Sequence, residues 1–179
     1  MATTTNLLSW AAFERLPDDG MHHEIIQGEL VSLPPPKLGH SEIAHRIFRA
    51  LDQSAKPALV VYVEAGYKLT ESPATWIQPD VSVVSEHRVQ ATSLDGYLIG
   101  APELAIEIIS PSESAESMGL KVELLLEHGS RVVWVVYLRQ KKVEVKRADG
   151  ISLTLGIQDS LTLPDLLPGW ELPIAKLFE

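Results

Sequence analysis

The sequence predicts a mixed α/β fold of the α+β type, formed by one domain over residues 1–179. Its composition, 45% hydrophobic and 22% charged, suits a soluble globular chain that can bury a core. Strand-like patterns, about seven in all, are interrupted by one early helix and by a second helix. The second helix follows a nearly continuous apolar strand, which is typical of the middle of a sheet that is covered on both faces.

The first predicted elements are a short helix and a β-hairpin. Ser9 can cap the helix, and residues 17–20 then stop it. Residues 24–26 and 29–31 flank Gln27-Gly28, a two-residue turn whose glycine supplies the positive φ that such turns require. We therefore expect an N-terminal β-hairpin extension in front of the main sheet.

The clearest helix is predicted over residues 41–55, where Ile43 and Ile47 begin an apolar stripe at helical spacing. Residues 59–69 are rich in β-formers, and residues 81–84 read as a strand. In the second half we predict a strand over 104–109, a helix capped by Ser117 that runs to about His128, and a strand over 132–136. An edge hairpin is predicted over 143–155. An irregular apolar segment with several prolines then covers 163–170, and a helical turn covers 175–178.

Composition excludes several classes of function. The chain has 15 Lys and Arg against 24 Asp and Glu, a formal charge of -9, so its overall field repels polyanions and any nucleic-acid contact must be local and metal-assisted. The absence of cysteine excludes disulfide scaffolds, thiolate zinc sites and cysteine nucleophiles. Since there is no GxxxxGK or GxGxxG loop, no nucleotide cofactor is expected.

The sequence also predicts a cytoplasmic protein without membrane contact. Its first residues show no basic stretch followed by an apolar core, as a secretory signal would. The longest apolar runs are far shorter than the roughly 20 residues that a transmembrane helix needs.

Two carboxylates break the local pattern of the strands. Glu107 stands in the middle of an apolar strand, and Asp80 stands where the strand over residues 81–84 begins. Burial of an unpaired carboxylate costs several kcal/mol, so the site must supply a cation or raise the pKa of the carboxyl group. Two carboxylates without cysteine suit Mg²⁺ or Mn²⁺. Lys121, on the helix after the Glu107 strand, would add the positive charge that phosphodiester hydrolysis uses.

The motif Pro79-Asp80, then Glu107-Ile108-Ile109, then Lys121 resembles the PD-(D/E)XK nuclease superfamily in a form with a migrated lysine. Ile109 stands where that superfamily has its usual lysine. The whole chain further resembles a bacterial branch of restriction-endonuclease-like proteins of unknown function. The segments that carry this second resemblance are the hairpin over 24–31, Pro34-Pro35-Pro36 with His40, the strand over 79–84, Glu107 to Ser112, Lys121, residues 134–136 and residues 166–170.

The resemblance implies a restriction-endonuclease-like mixed β-sheet flanked by helices. It also implies a metal-dependent endonuclease that acts on DNA, with Asp80 and Glu107 as metal ligands and Lys121 as the charge-stabilising residue. A homodimer is one implied option, because many nucleases of this fold cut two strands. The sequence departs from the branch at Ser117, where an acid is usual, at Leu125, where tyrosine is usual, at Tyr137-Leu138, where Asp-Pro is usual, and at Gln27-Gly28, where Asp-Gly is usual.

Four further residues are auxiliary candidates for the site: Glu24 on the hairpin, His40 and Glu42 at the early helix, and Glu64. Two other functions stay open. The chain could be a catalytically silent module that binds nucleic acid or protein, or its acids could form a structural ion-pair network. The basic cluster of Arg139, Lys141, Lys142, Lys146 and Arg147 reads either as the solvated face of an edge hairpin or as a track for phosphates.

Overall fold

The computed structural model describes residues 7–55, 57–109 and 114–179. The helices are α1 (Trp10–Phe13), α2 (Leu38–Ala55), α3 (Glu86–Ala91) and α4 (Ala115–Glu127), and a 3-10 turn spans Ile174–Leu177. The strands are β1 (His22–Ile26), β2 (Glu29–Leu33), β3 (Leu59–Val63), β4 (Tyr67–Glu71), β5 (Ala74–Ile77), β6 (Val81–Ser85), β7 (Leu98–Ile99), β8 (Leu104–Ile108), β9 (Val132–Tyr137), β10 (Lys142–Arg147), β11 (Ser152–Leu155), β12 (Ser160–Leu163) and β13 (Leu167–Pro173). None of the helices in these ranges is long and apolar enough to cross a membrane.

The strands form three sheets, which confirms the predicted α+β class. The main sheet has six strands in the order β11-β10-β9-β8-β6-β3, and β8 and β9 are its parallel pair. A five-stranded sheet has the order β2-β1-β5-β4-β7, and β12 and β13 pair separately. The N-terminal hairpin forms as expected, with Gln27 and Gly28 both at positive φ (52° and 85°). It joins the five-stranded sheet through the pairing of Ile25 with Trp76.

The six-stranded sheet is covered on both faces. Alternate residues of β8 point to opposite sides. Leu104, Ile106 and Ile108 pack into the larger core with α2 and the C-terminal segment. Ala105 packs into a second core with α4. Every residue of β8 is buried, as the prediction of a central strand requires.

The structure corrects several predicted elements. The described chain contains thirteen strands rather than about seven, because short strands such as β7 and the β12–β13 hairpin lack a clear period. The β12–β13 hairpin forms where the sequence predicted an irregular apolar segment over 163–170. Ser114 rather than Ser117 caps α4, since Ser114 Oγ accepts a hydrogen bond from Ser117 N at 3.0 Å. The motif residues Ser110, Pro111 and Ser112 and the first residues 1–6 lie outside the described ranges.

Candidate active site

The centre of the site is a buried lysine held between two buried carboxylates. Lys121 Nζ lies 2.9 Å from Glu107 Oε2 and 2.9 Å from Glu24 Oε1. Lys121, Glu107 and Glu24 are only 5%, 3% and 2% exposed. We call these three residues the charge cluster. It joins the hairpin strand β1, the central strand β8 and α4, although Glu24 is far from the other two residues in sequence.

Strand and helix geometry bring the three residues together. Glu107 faces α4 because Leu104, Ile106 and Ile108 occupy the opposite face of β8. Lys121 lies in the middle of α4, the helix that packs on that face. Glu24 is held from a third side, where the backbone N–H of Gln78 donates a hydrogen bond of 2.7 Å to Glu24 Oε1.

Asp80 lies at the edge of the charge cluster. It directly precedes β6, which pairs antiparallel with β8 so that Val81 is opposite Ile106. One step further in the same register, Asp80 stands opposite Glu107. The backbone N–H of Ile108 donates to Asp80 Oδ2 at 2.6 Å, and His40 Nε2 lies 3.3 Å from the same oxygen. The structure therefore brings His40, from the first turn of α2, to the site.

The pKa values reflect an excess of negative charge. Burial raises the pKa of the Glu107 carboxyl well above its usual value; Lys121 opposes this rise, while the charges of Asp80 and Glu24 add to it. Burial also opposes ionisation of Glu24, but Lys121, His22 and the Gln78 N–H together outweigh it and lower the pKa of Glu24. Burial alone would lower the pKa of Lys121, yet the two glutamates raise it. The two glutamates therefore favour the charged form of Lys121.

The donor set fits a hard divalent cation at Asp80 and Glu107. Glu107 Oε1 is buried and has no hydrogen-bond partner in the described part of the protein. An unpaired carboxylate oxygen beside a second carboxylate is the kind of group that Mg²⁺ or Mn²⁺ takes. Among residues 7–55, 57–109 and 114–179, however, no three His, Asp or Glu side chains converge as a complete ligand set. Protein atoms in these ranges would supply two carboxylate ligands.

The remaining auxiliary candidates lie away from the charge cluster. Glu42 is exposed on α2, and Glu64 has an exposed side chain. The backbone of Glu64 does contact the Asp80 segment, since its N–H donates to the Asp80 carbonyl oxygen at 3.2 Å. Leu125 is fully buried one turn of α4 beyond Lys121, where it packs in the core under that helix. Tyr137 is the last residue of β9, and Lys142 Nζ lies 4.2 Å from the centroid of its ring.

Sequence reasoning missed the backbone groups that hold the carboxylates. Ile108 N–H and Gln78 N–H both donate into the site, and neither contact follows from residue type. Gln78 reaches Glu24 only because β5 pairs with β1 across a sequence separation that carries no local signal. The local signal nearest to this contact is the Pro79-Asp80 dipeptide, which directly follows Gln78.

Comparison with known proteins agrees with this architecture. A crystal structure described as that of a putative nuclease belonging to DUF820 from Anabaena variabilis ATCC 29413 superimposes with a TM-score of 0.83 at 23% identity, over 96% of this chain and 97% of that chain. The chain thus has a restriction-endonuclease-like nuclease fold. The Uma2 family, described as "Putative restriction endonuclease", matches residues 10–175, and the chain belongs to that family. No curated protein matches it.

Proposed function

We propose that the chain is an endonuclease that hydrolyses phosphodiester bonds in DNA with the help of Mg²⁺ or Mn²⁺. Asp80 and Glu107 would hold the cation, and Lys121 would stabilise negative charge on the phosphate. The observation that carries the proposal is the buried Oε1 of Glu107, which lies beside Asp80 and has no hydrogen-bond partner among the described residues. Membership of the Uma2 family and the nuclease fold support the same function.

Each residue has a role that follows from its contacts. The cation, when bound, would supply a Lewis acid and an activated water. Asp80 can contribute its second oxygen, since Oδ2 already accepts from Ile108 N–H and contacts His40. The ammonium of Lys121 has three donors, two of which are directed at Glu107 and Glu24. The third donor is the one that could meet a phosphate oxygen.

Calorimetric titration of Mn²⁺ and Mg²⁺ into the wild type, Asp80→Ala and Asp95→Ala tests the proposal. Asp95 is an exposed aspartate, so its removal matches the change of charge without touching the site. We expect binding in the wild type and in Asp95→Ala, and at least tenfold weaker binding in Asp80→Ala, because a carboxylate ligand is lost. Equal binding in all three proteins would remove Asp80 from the ligand set.

One observation favours a second function, that of a catalytically silent module whose acids form a structural ion-pair network. Lys121 is already paired with both Glu107 and Glu24, as such a network requires. Cleavage assays on single-stranded and duplex DNA separate the two functions. An endonuclease loses cleavage in Asp80→Ala while Asp95→Ala cleaves normally. A silent module cleaves in none of the proteins, binds no cation at Asp80, and shows the loss of Lys121 only as lower stability.

A further inference from the structure

A groove with a volume of about 870 Å³ lies between α4 and the β10–β11 hairpin. We call it the hairpin groove. This volume is within the roughly 300–1,000 Å³ of pockets that bind small organic groups. Met118, Val122 and Leu126 form an apolar wall on α4, while Lys146 and Ile151 belong to the opposite wall.

The floor of the hairpin groove continues the sheet surface that carries Glu107. In the parallel pair of β8 and β9, Glu107 is in register with Val135. Because alternate strand residues share a face, Ile109 follows Glu107 on this surface and Tyr137 follows Val135. Ile109, Val135 and Tyr137 all line the groove. The groove therefore lies on the same sheet face as Glu107, beyond it toward the carboxyl ends of β8 and β9.

Two exposed cations lie at the β9–β10 turn, where the hairpin groove opens. Arg139 lines the groove, and Lys141 follows two residues later. Neither makes an ion pair within the described ranges, in contrast to Lys146, whose Nζ lies 3.4 Å from Glu144. Arg147 is likewise held by aspartates. Arg139 and Lys141 are thus the cations of the basic cluster that can take a new anionic partner.

The opposite side of α4 has the reverse charge. A second groove, with a volume of about 690 Å³, lies between α4 and the β1–β2 hairpin. Its charged lining residues are Glu29, Glu116 and Glu123, with no Lys or Arg from the described ranges. Glu123 and Glu144 also border the hairpin groove, but Arg139 lies there without an ion pair in the described ranges, and the ion-paired Lys146 and Arg147 are further lining cations. A polyanion is therefore repelled more strongly from the second groove than from the hairpin groove.

We propose that the hairpin groove binds an unpaired stretch of DNA, with a base against the apolar floor and the side of the Tyr137 ring that Lys142 does not cover, and with phosphates on Arg139 and Lys141. This inference rests on the proposed nuclease function and gives it a substrate class. Proteins hold single strands by combining cations for the backbone with aromatic rings on which bases stack. In a duplex the bases are paired and stacked, so they cannot reach the apolar floor. The site selects single-stranded DNA.

Fluorescence anisotropy of a labelled single strand and of the same sequence as a duplex tests the inference. Binding is measured in EDTA, because the groove lies outside the metal centre and cleavage is then prevented. We expect the single strand to bind at least about fivefold more tightly than the duplex. The Tyr137→Ala substitution should weaken the binding of the single strand at least about fivefold. Arg139→Glu should weaken binding about tenfold and reduce the steepness of the slope of log K against log salt concentration by about 1.

Arg49→Glu is the matched control, since it makes the same change of charge at an exposed position on α2. Its affinity should stay within about twofold of the wild type. Equal binding of duplex and single strand, absence of binding, or equal effects of Arg139→Glu and Arg49→Glu would overturn the inference. Binding of single strands in EDTA by a protein that takes up no Mn²⁺ would instead overturn the proposed nuclease function and leave this inference standing.

Discussion

The two faces of the six-stranded sheet differ in what they bury. The face toward α2 packs mainly apolar side chains of the strands, among them Ile106, Trp134 and Val145. The face toward α4 buries Glu107 and Ser82, and α4 adds Lys121. Here even Tyr67, in the adjoining core, donates a hydrogen bond of 2.7 Å to Ser82 Oγ. The face toward α2 contributes packing stability, whereas the face toward α4 buries charged groups as well as apolar ones.

This difference teaches where function lies in a sheet that is covered on both sides. An apolar face tolerates small changes of volume and loses only packing energy. A face with buried charges is sensitive to the balance of those charges, because an unpaired ion in the interior is costly. Substitutions on the two faces should therefore differ in size, in pH dependence and in their effect on cation binding.

The largest effect is expected for Lys121→Met, which keeps much of the volume and removes the cation. Glu24 and Glu107 would remain buried without compensation, so the free energy of unfolding should fall by about 3–5 kcal/mol at neutral pH. Urea denaturation measures this. Lys142→Met is the matched control, since Lys142 makes its ion pair at a partly exposed position and should contribute at most about 1 kcal/mol. Similar losses in both variants would contradict the charge-balance argument.

An intermediate, pH-dependent effect is expected for Glu107→Gln. Since the folded state raises the pKa of Glu107, it keeps a proton that the unfolded chain releases as pH rises. Wild-type stability should thus fall by up to about 1.4 kcal/mol per pH unit above the ordinary glutamate pKa, until the folded pKa is reached. Glutamine cannot ionise, so the variant should gain stability relative to the wild type as pH rises above the ordinary glutamate pKa toward the raised folded-state pKa.

Glu24→Gln is the internal control for that experiment, because the folded state lowers the pKa of Glu24. The contribution of Glu24 is present above its ordinary pKa and is lost as pH falls through the lowered value. Denaturation curves at several pH values should show the Glu24→Gln deficit growing as pH rises, opposite to Glu107→Gln. Parallel pH profiles for the two variants would show that the carboxylates share one environment.

The smallest effect is expected on the apolar face. Ile106→Val removes one methylene from a fully buried side chain and should cost about 0.5–1.5 kcal/mol. The loss should be independent of pH, and calorimetric binding of Mn²⁺ should match that of the wild type. A loss of cation binding in this variant would show that the two faces are coupled through β8.

The sequence predicted those parts of the fold that local chemistry determines. The Gln27-Gly28 turn, the helix that ends at Ala55 and the buried strand around Glu107 are confirmed. Each rests on a pattern within a few residues: a glycine at positive φ, an apolar stripe or a continuous apolar run. The pairing of Glu107 with Lys121 is a near-local case, since one strand and the next helix carry the two residues.

Features that no clear local pattern marks were not predicted. The strand pair β12–β13 was read as an irregular apolar segment, because residues such as Pro168 and Gly169 do not alternate in a strand pattern. The contact between Glu24 and Lys121 depends on how the hairpin docks, which no local pattern encodes. Glu42 was placed near the site by its helix, yet its position on the helix surface leaves it exposed. A homodimer stays a prediction.

The charge cluster also ties the assembly of the site to the completion of the fold. Glu24 lies on β1 in the N-terminal hairpin, whereas Lys121 follows nearly a hundred residues later on α4, so their contact closes a long stretch of chain. A nascent chain or proteolytic fragment that ends before α4 contains Asp80 and Glu107 but lacks their cationic partner. Incomplete molecules would therefore carry the acidic residues of the site without its chemistry.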